Sequence, residues 1–62
     1  MNDPSVIRAM QGKLTSEGLY KGVATGLMDT ETLNALVKYQ SANALTPGSV
    51  SEDTLKKMGL ME

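Results

Sequence analysis

Two close pairs of carboxylates, Asp29 with Glu31 and Glu52 with Asp53, are the residues whose types and spacing could perform acid–base chemistry. Glycoside hydrolysis uses such a pair, but with the two groups facing one another across a substrate cleft. Here each pair falls in the first turn of a helical pattern, where the helix dipole favours negative charge. The acids therefore have a structural explanation, and catalysis is not expected. The chain has no cysteine and no histidine. That removes thiol nucleophiles, imidazole bases and the usual zinc ligand sets, so no cofactor or metal is expected.

The second stretch that could carry chemistry is GLYKGVATG, residues 18–26, with glycines at 18, 22 and 26. A P-loop would need Gly-Lys-Ser/Thr opening a helix, and the following GLMD offers none. A membrane helix seam would need about twenty apolar residues around the glycines. Gly18 is instead placed to end a helix, Gly22 to turn a loop, and Gly26 to begin a cap motif. What remains is a loop with Tyr20 and Lys21 exposed on it.

Sixty-two residues make one small domain, assigned to 1–62. A chain of this size buries only about 60% of the surface its unfolded form exposes, which favours a binding module over an enzyme with its own cleft. Six basic and seven acidic residues give a net charge of −1, with no basic footprint for nucleic acid. No segment has the 18 or so apolar residues of a membrane span, so membrane insertion is not expected. The N-terminal MNDPSVIRAM lacks the pattern of a signal peptide.

Three helical segments must position the loop. Asp3 caps the first, Pro4 suits its first position, and the helix spans about 4–17. Ile7, Met10 and Leu14 share one stripe, with Gln11 at its edge. The second helix spans about 30–43; Thr32, Leu33, Ala35, Leu36, Val37 and Tyr39 cover a wide arc of roughly 200°, as a central helix would. After the Pro47-Gly48 turn, a short third helix runs over about 52–58 and stops at Gly59. An internal repeat links the last two: GLMDTETLNAL (26–36) and GSVSEDTLKKM (48–58) align without gaps at an offset of 22 residues. Asp29 and Ser51 are the expected N-caps, and Met28 with Leu33 and Val50 with Leu55 the expected hydrophobic staples.

In order, the chain reads Ile7-x-x-Met10-Gln11-x-x-Leu14, Gly18-Leu19-Tyr20-x-Gly22, Thr25-Gly26-x-Met28-Asp29-x-x-Thr32, Ala35-Leu36-x-x-Tyr39-Gln40, Asn43-Ala44-Leu45 and Gly48-x-Val50-x-x-x-Thr54-Leu55. This series resembles the peptidoglycan-binding domain family, the small modules found beside many cell-wall hydrolases and transpeptidases. The resemblance implies an all-α, compact three-helix bundle with a glycine-rich loop between helices 1 and 2 and a short third helix. Three positions depart from the family pattern: Thr25-Gly26 replaces Asp-Gly, Met28 replaces an aromatic, and Ala44 replaces a glycine. Because a left-handed alanine costs on the order of 1 kcal/mol, Asn43 is expected to take that conformation instead.

The function implied is a non-catalytic module, likewise monomeric, that binds peptidoglycan or a muropeptide and targets an attached enzyme or envelope protein. Its place would be the periplasm, the cell wall or the exterior, as part of a longer chain. The alternative is a protein-interaction or pro-domain-like module on the same fold, and the five methionines suit a protein partner. Candidate ligand-binding residues are Tyr20, Lys21, Thr25, Met28, Asp29, Gln40 and Asn43. Tyr20 could present its face to a ligand or plug the loop over helix 1. The amides of Gln11 and Gln40 could satisfy loop backbone or face a groove. Lys21 could pair with a muropeptide carboxylate, and Asn43 also suits a helix C-cap.

Overall fold

Three capped helices account for the regular structure: α1 (Pro4–Ser16), α2 (Thr30–Ala42) and α3 (Glu52–Lys57). The computed structural model describes residues 3–61; Met1, Asn2 and Glu62, assigned to the same domain from the sequence, lie outside the described residues. Each helix starts at a polar side chain that accepts a backbone N–H. Asp3 takes that of Ser5, Asp29 that of Thr32 and Ser51 that of Thr54. Each also ends one residue earlier than the sequence suggests, at the C-caps Glu17, Asn43 and Met58. Among the described residues there is no strand, and the fold is an all-α three-helix bundle.

All three helices stop in the same way. The residue after the C-cap is left-handed, and the leucine after that donates its N–H back into the last turn. Leu19 donates to the Leu14 carbonyl at 2.9 Å, Leu45 to Gln40 at 2.8 Å and Leu60 to Leu55 at 2.9 Å. This is the six-to-one bond of a Schellman motif, which uses otherwise orphaned carbonyls. Glycine fills the left-handed position at 18 and 59, but the second helix uses Ala44, at φ 57°. The expectation that Asn43 would take that conformation is corrected: Asn43 is the C-cap, at φ −111°. Its Nδ2 donates to the Tyr39 carbonyl at 2.8 Å. The position is fixed by the Leu45 bond, and propensity does not override it.

The core is one cluster of Ile7, Met10 and Leu14 from α1, Ala35, Leu36 and Tyr39 from α2, Tyr20 from the loop and Met58 beyond α3. The leucines of the first two helix ends, Leu19 and Leu45, pack against it with Val50. Burial of each large side chain contributes about 1.5–3 kcal/mol. The apolar arc of α2 is narrower than the sequence suggests: Leu33 stays 38% exposed and Val37 is half-buried. The pattern overstates it because a bundle this thin covers α2 on fewer sides.

The fully buried polar side chains are Gln11, Thr32, Gln40 and Thr54, and they form two matching clusters. Gln11 Nε2 donates to the Leu27 carbonyl (2.9 Å) and to Thr32 Oγ1 (2.8 Å), while Gly26 N–H donates to Gln11 Oε1 (2.9 Å). Gln40 Nε2 donates to the Ser49 carbonyl (2.8 Å) and to Thr54 Oγ1 (3.0 Å), while Gly48 N–H donates to Gln40 Oε1 (2.9 Å). Gly26, Leu27 and Thr32 stand 22 residues before Gly48, Ser49 and Thr54, so the sequence repeat is a repeat of this clamp. Among the described residues no buried side-chain polar atom lacks a partner. Gly26 is also where the loop touches α1: a Cβ there would lie 3.0 Å from the Pro4 carbonyl oxygen.

Truncating either glutamine leaves loop backbone groups without partners, which costs about 1–3 kcal/mol for each buried group. Gln11→Ala, whose partner Gly26 is buried, should cost about 3 kcal/mol, and Gln40→Ala, whose partner Gly48 is exposed, about 2 kcal/mol. The midpoints of urea unfolding give both values and their order. Ala44→Gly should raise stability by about 0.5–1 kcal/mol in the same measurement, because glycine adopts the left-handed conformation without the Cβ clash.

Candidate functional site

Once the clamps have claimed the interior polar groups, the surface holds two depressions beside the 18–26 loop. The first lies between that loop and α2. Gly18, Leu19, Tyr20 and Lys21 line one side, and Glu31, Asn34, Ala35 and Lys38 the other. The α2 residues follow i, i+3, i+4, i+7 spacing, so one helical face supplies them. Ala35 and Tyr20 are buried, with Lys21, Glu31, Asn34 and Lys38 exposed around them. Among the described residues the ion pair is Lys13–Glu17 at 3.4 Å, and Lys21, Glu31 and Lys38 form none.

The second depression is apolar and sits where the two repeated segments converge. Gly26, Leu27 and Met28 from one repeat and Gly48, Ser49 and Val50 from the other line it, with Ile7 and Leu33. Met28, Leu33 and Val50 of the proposed staples line this wall, whereas Leu55 is buried and borders a different depression with Ser5, Val6, Ala9 and Leu60.

The seven residues singled out from the sequence do not gather at one place. Tyr20 and Lys21 border the first depression, and Met28 borders the second. Tyr20 is not exposed on the loop as expected: it is 3% accessible, a core plug, and its hydroxyl donates to the Val23 carbonyl at 3.0 Å. A Cβ at residue 22 would lie 2.8 Å from that hydroxyl oxygen, so Gly22 permits the closure. Gln40 likewise faces inward, its amide used by the second clamp and its side chain fully buried. Asn43 bonds its own helix end, at the opposite end of α2 from Asp29. Thr25 Oγ1 accepts the Leu27 N–H at 3.2 Å beside the Gly26 elbow.

Asp29 belongs to the first clamp. Its Oδ1 accepts the Thr32 hydroxyl at 2.6 Å and the Thr32 N–H at 2.8 Å, so Thr32 links Gln11 to the cap. The Thr32 hydroxyl, and then its N–H, hold the Asp29 carboxyl below its ordinary value of 3.8. The side chain is exposed at the surface but already committed to the fold.

Glu31, Asn34 and Lys38 were not among the sequence candidates. Their signal was the shared helical face around Ala35, a small buried residue bordered by polar ones. The sequence offers the acid at 31 as half of a carboxylate pair and as a partner of the helix dipole, not as a ligand contact. No cluster of three or more His, Cys, Asp or Glu side chains suited to a metal ion occurs among the described residues. No helix among them is long and apolar enough to cross a membrane.

Comparison with known families gives one match: the model of the peptidoglycan binding domain covers residues 4–58, which include all three helices. No curated protein and no solved structure matches the chain.

Protonation of Asp29 tests its part in the clamp. Its folded pKa is lowered, so the stability it contributes is present above the unfolded value and is lost as pH falls through the folded one, below 3.8. Asp29→Asn should flatten the acid limb of a stability-against-pH curve in that range while leaving its shape near neutrality unchanged. Equal acid slopes for the two proteins would remove Asp29 from this role.

Proposed function

Because the chain belongs to the family of peptidoglycan binding domains, we propose that it is a non-catalytic module that holds an attached enzyme or envelope protein on the bacterial cell wall. Such tethering raises the local concentration of polymer around the attached partner. The observation that carries this reading is the family match over residues 4–58. The clamps that fix the loop and the caps lie wholly inside that span. The site of action would accordingly be outside the cytoplasm, in a periplasmic, wall-associated or secreted chain.

The ligand face in this reading is the depression between the 18–26 loop and α2. It joins Lys21, a candidate from the sequence, to three polar side chains of the central helix. The carboxylates at 29, 31, 52 and 53 occupy helix starts, so they do not supply the opposed pair that a hydrolase requires. A second reading, docking of a protein partner, is favoured by one observation. The second depression is apolar, and Leu27 beside it is 66% exposed.

Sedimentation with purified, insoluble peptidoglycan sacculi decides between the two. The protein should pellet with sacculi at low ionic strength and stay in solution without them. Retention in the supernatant at low salt would reject the cell-wall reading and leave the protein-docking one.

A further inference from the structure

Peptidoglycan offers two chemically different handles, a sugar strand and a peptide stem. Sugar rings are commonly held by stacking on exposed aromatic faces, which supply flat apolar area beside a polar edge. This chain contains two tyrosines and no phenylalanine or tryptophan. Both tyrosines are buried, Tyr20 at 3% and Tyr39 at 4% exposure, and the Tyr20 hydroxyl is spent on Val23. Among the described residues there is therefore no exposed aromatic platform.

The depression between the loop and α2 offers charge instead. Lys21 and Lys38 bring two ammonium groups and Glu31 one carboxylate, none of them in an ion pair among the described residues. Asn34 adds an amide donor and acceptor, and the floor of Ala35 and Leu19 has room for small apolar side chains. A peptide stem carries free carboxylates, an amine on its diamino acid, and alanine methyl groups. The ionic groups of groove and stem are complementary in sign: two cations for carboxylates and one anion for the amine.

Resting on the cell-wall reading above, we infer that the module recognises the peptide stem and not the sugar strand, in the groove lined by Lys21, Glu31, Asn34 and Lys38. Exposed ion pairs in water are individually weak, so a single stem binds weakly and salt screens it. Firm attachment then comes from the many stems that a wall displays, which keep a released module close to the next one.

Amide chemical-shift titration of the ¹⁵N-labelled protein tests this with two soluble probes. One is a sugar-free stem tetrapeptide containing the diamino acid; the other is an oligomer of N-acetylglucosamine without peptide. The peptide should shift the amides of residues 21–22 and 31–38, and the sugar oligomer should leave them in place. Lys21→Ala with Lys38→Ala should weaken peptide binding about five- to tenfold. Lys38→Arg should retain it, and the unperturbed remainder of each spectrum verifies the fold. Saturable shifts from the sugar oligomer of equal or greater affinity would overturn the inference. So would peptide shifts confined to residues 26–28, 33 and 48–50, or no response to either probe. In each of these cases retained sedimentation with sacculi keeps the cell-wall reading, whereas loss of sedimentation removes that reading itself.

Discussion

The fold depends on a side-chain amide that both donates and accepts inside an apolar core. Loops leave backbone N–H and C=O groups unpaired, and a bundle of three short helices has little secondary structure with which to satisfy them. A glutamine on the preceding helix answers both polarities with one group. Its Nε2 takes a loop carbonyl and the threonine hydroxyl of the next helix, and its Oε1 takes a glycine N–H. A carboxylate could accept but not donate, and a lysine could donate but not accept. Gln11 thereby sets where α2 begins, and Gln40 sets where α3 begins. The central helix is held by the first clamp and provides the second.

The two clamps share their parts except at the cap. Asp29 closes the first and Ser51 the second, each bonded to the threonine that the glutamine also touches. The first clamp thus contains an ionisable group and the second does not. Among the described residues the two glutamines and the two threonines are completely buried polar side chains, and all four belong to the clamps. The ionic groups around the α2 groove stand outside that accounting. Among the described residues Lys21, Glu31 and Lys38 form no ion pair, which sets them apart from Asp29, Gln40 and Asn43, whose polar atoms the fold already uses.

What the sequence disclosed was local. Caps at Asp3, Asp29 and Ser51, the three helices and the 22-residue repeat follow from signals within a few positions of one another. The clamp is not local: Gln11 bonds residues 15, 16 and 21 positions away, and no short-range pattern joins them. The repeat displayed the receiving half, Gly26 to Thr32 and Gly48 to Thr54, without showing what was received. For Tyr20 the sequence leaves an exposed ligand face and a core plug both open, and the structure takes the plug. A loop poor in charge reads as open when its sequence is considered alone, whereas the ring joins the core cluster and the absence of a Cβ at Gly22 leaves room for its hydroxyl. At Ala44 residue preference misled, since asparagine tolerates the left-handed region better. The helix length and the Leu45 bond had already assigned that position.

Each clamp grips main chain. From the loops it takes the N–H of Gly26 or Gly48 and the carbonyl of Leu27 or Ser49. The side chains at those carbonyl positions take no part: one is a leucine and the other a serine, and both point into exposed surroundings. Val23 is likewise left on the outside. The clamps therefore place no demand on the side chains at 23, 27 and 49, and those outward positions can change while the scaffold stays the same.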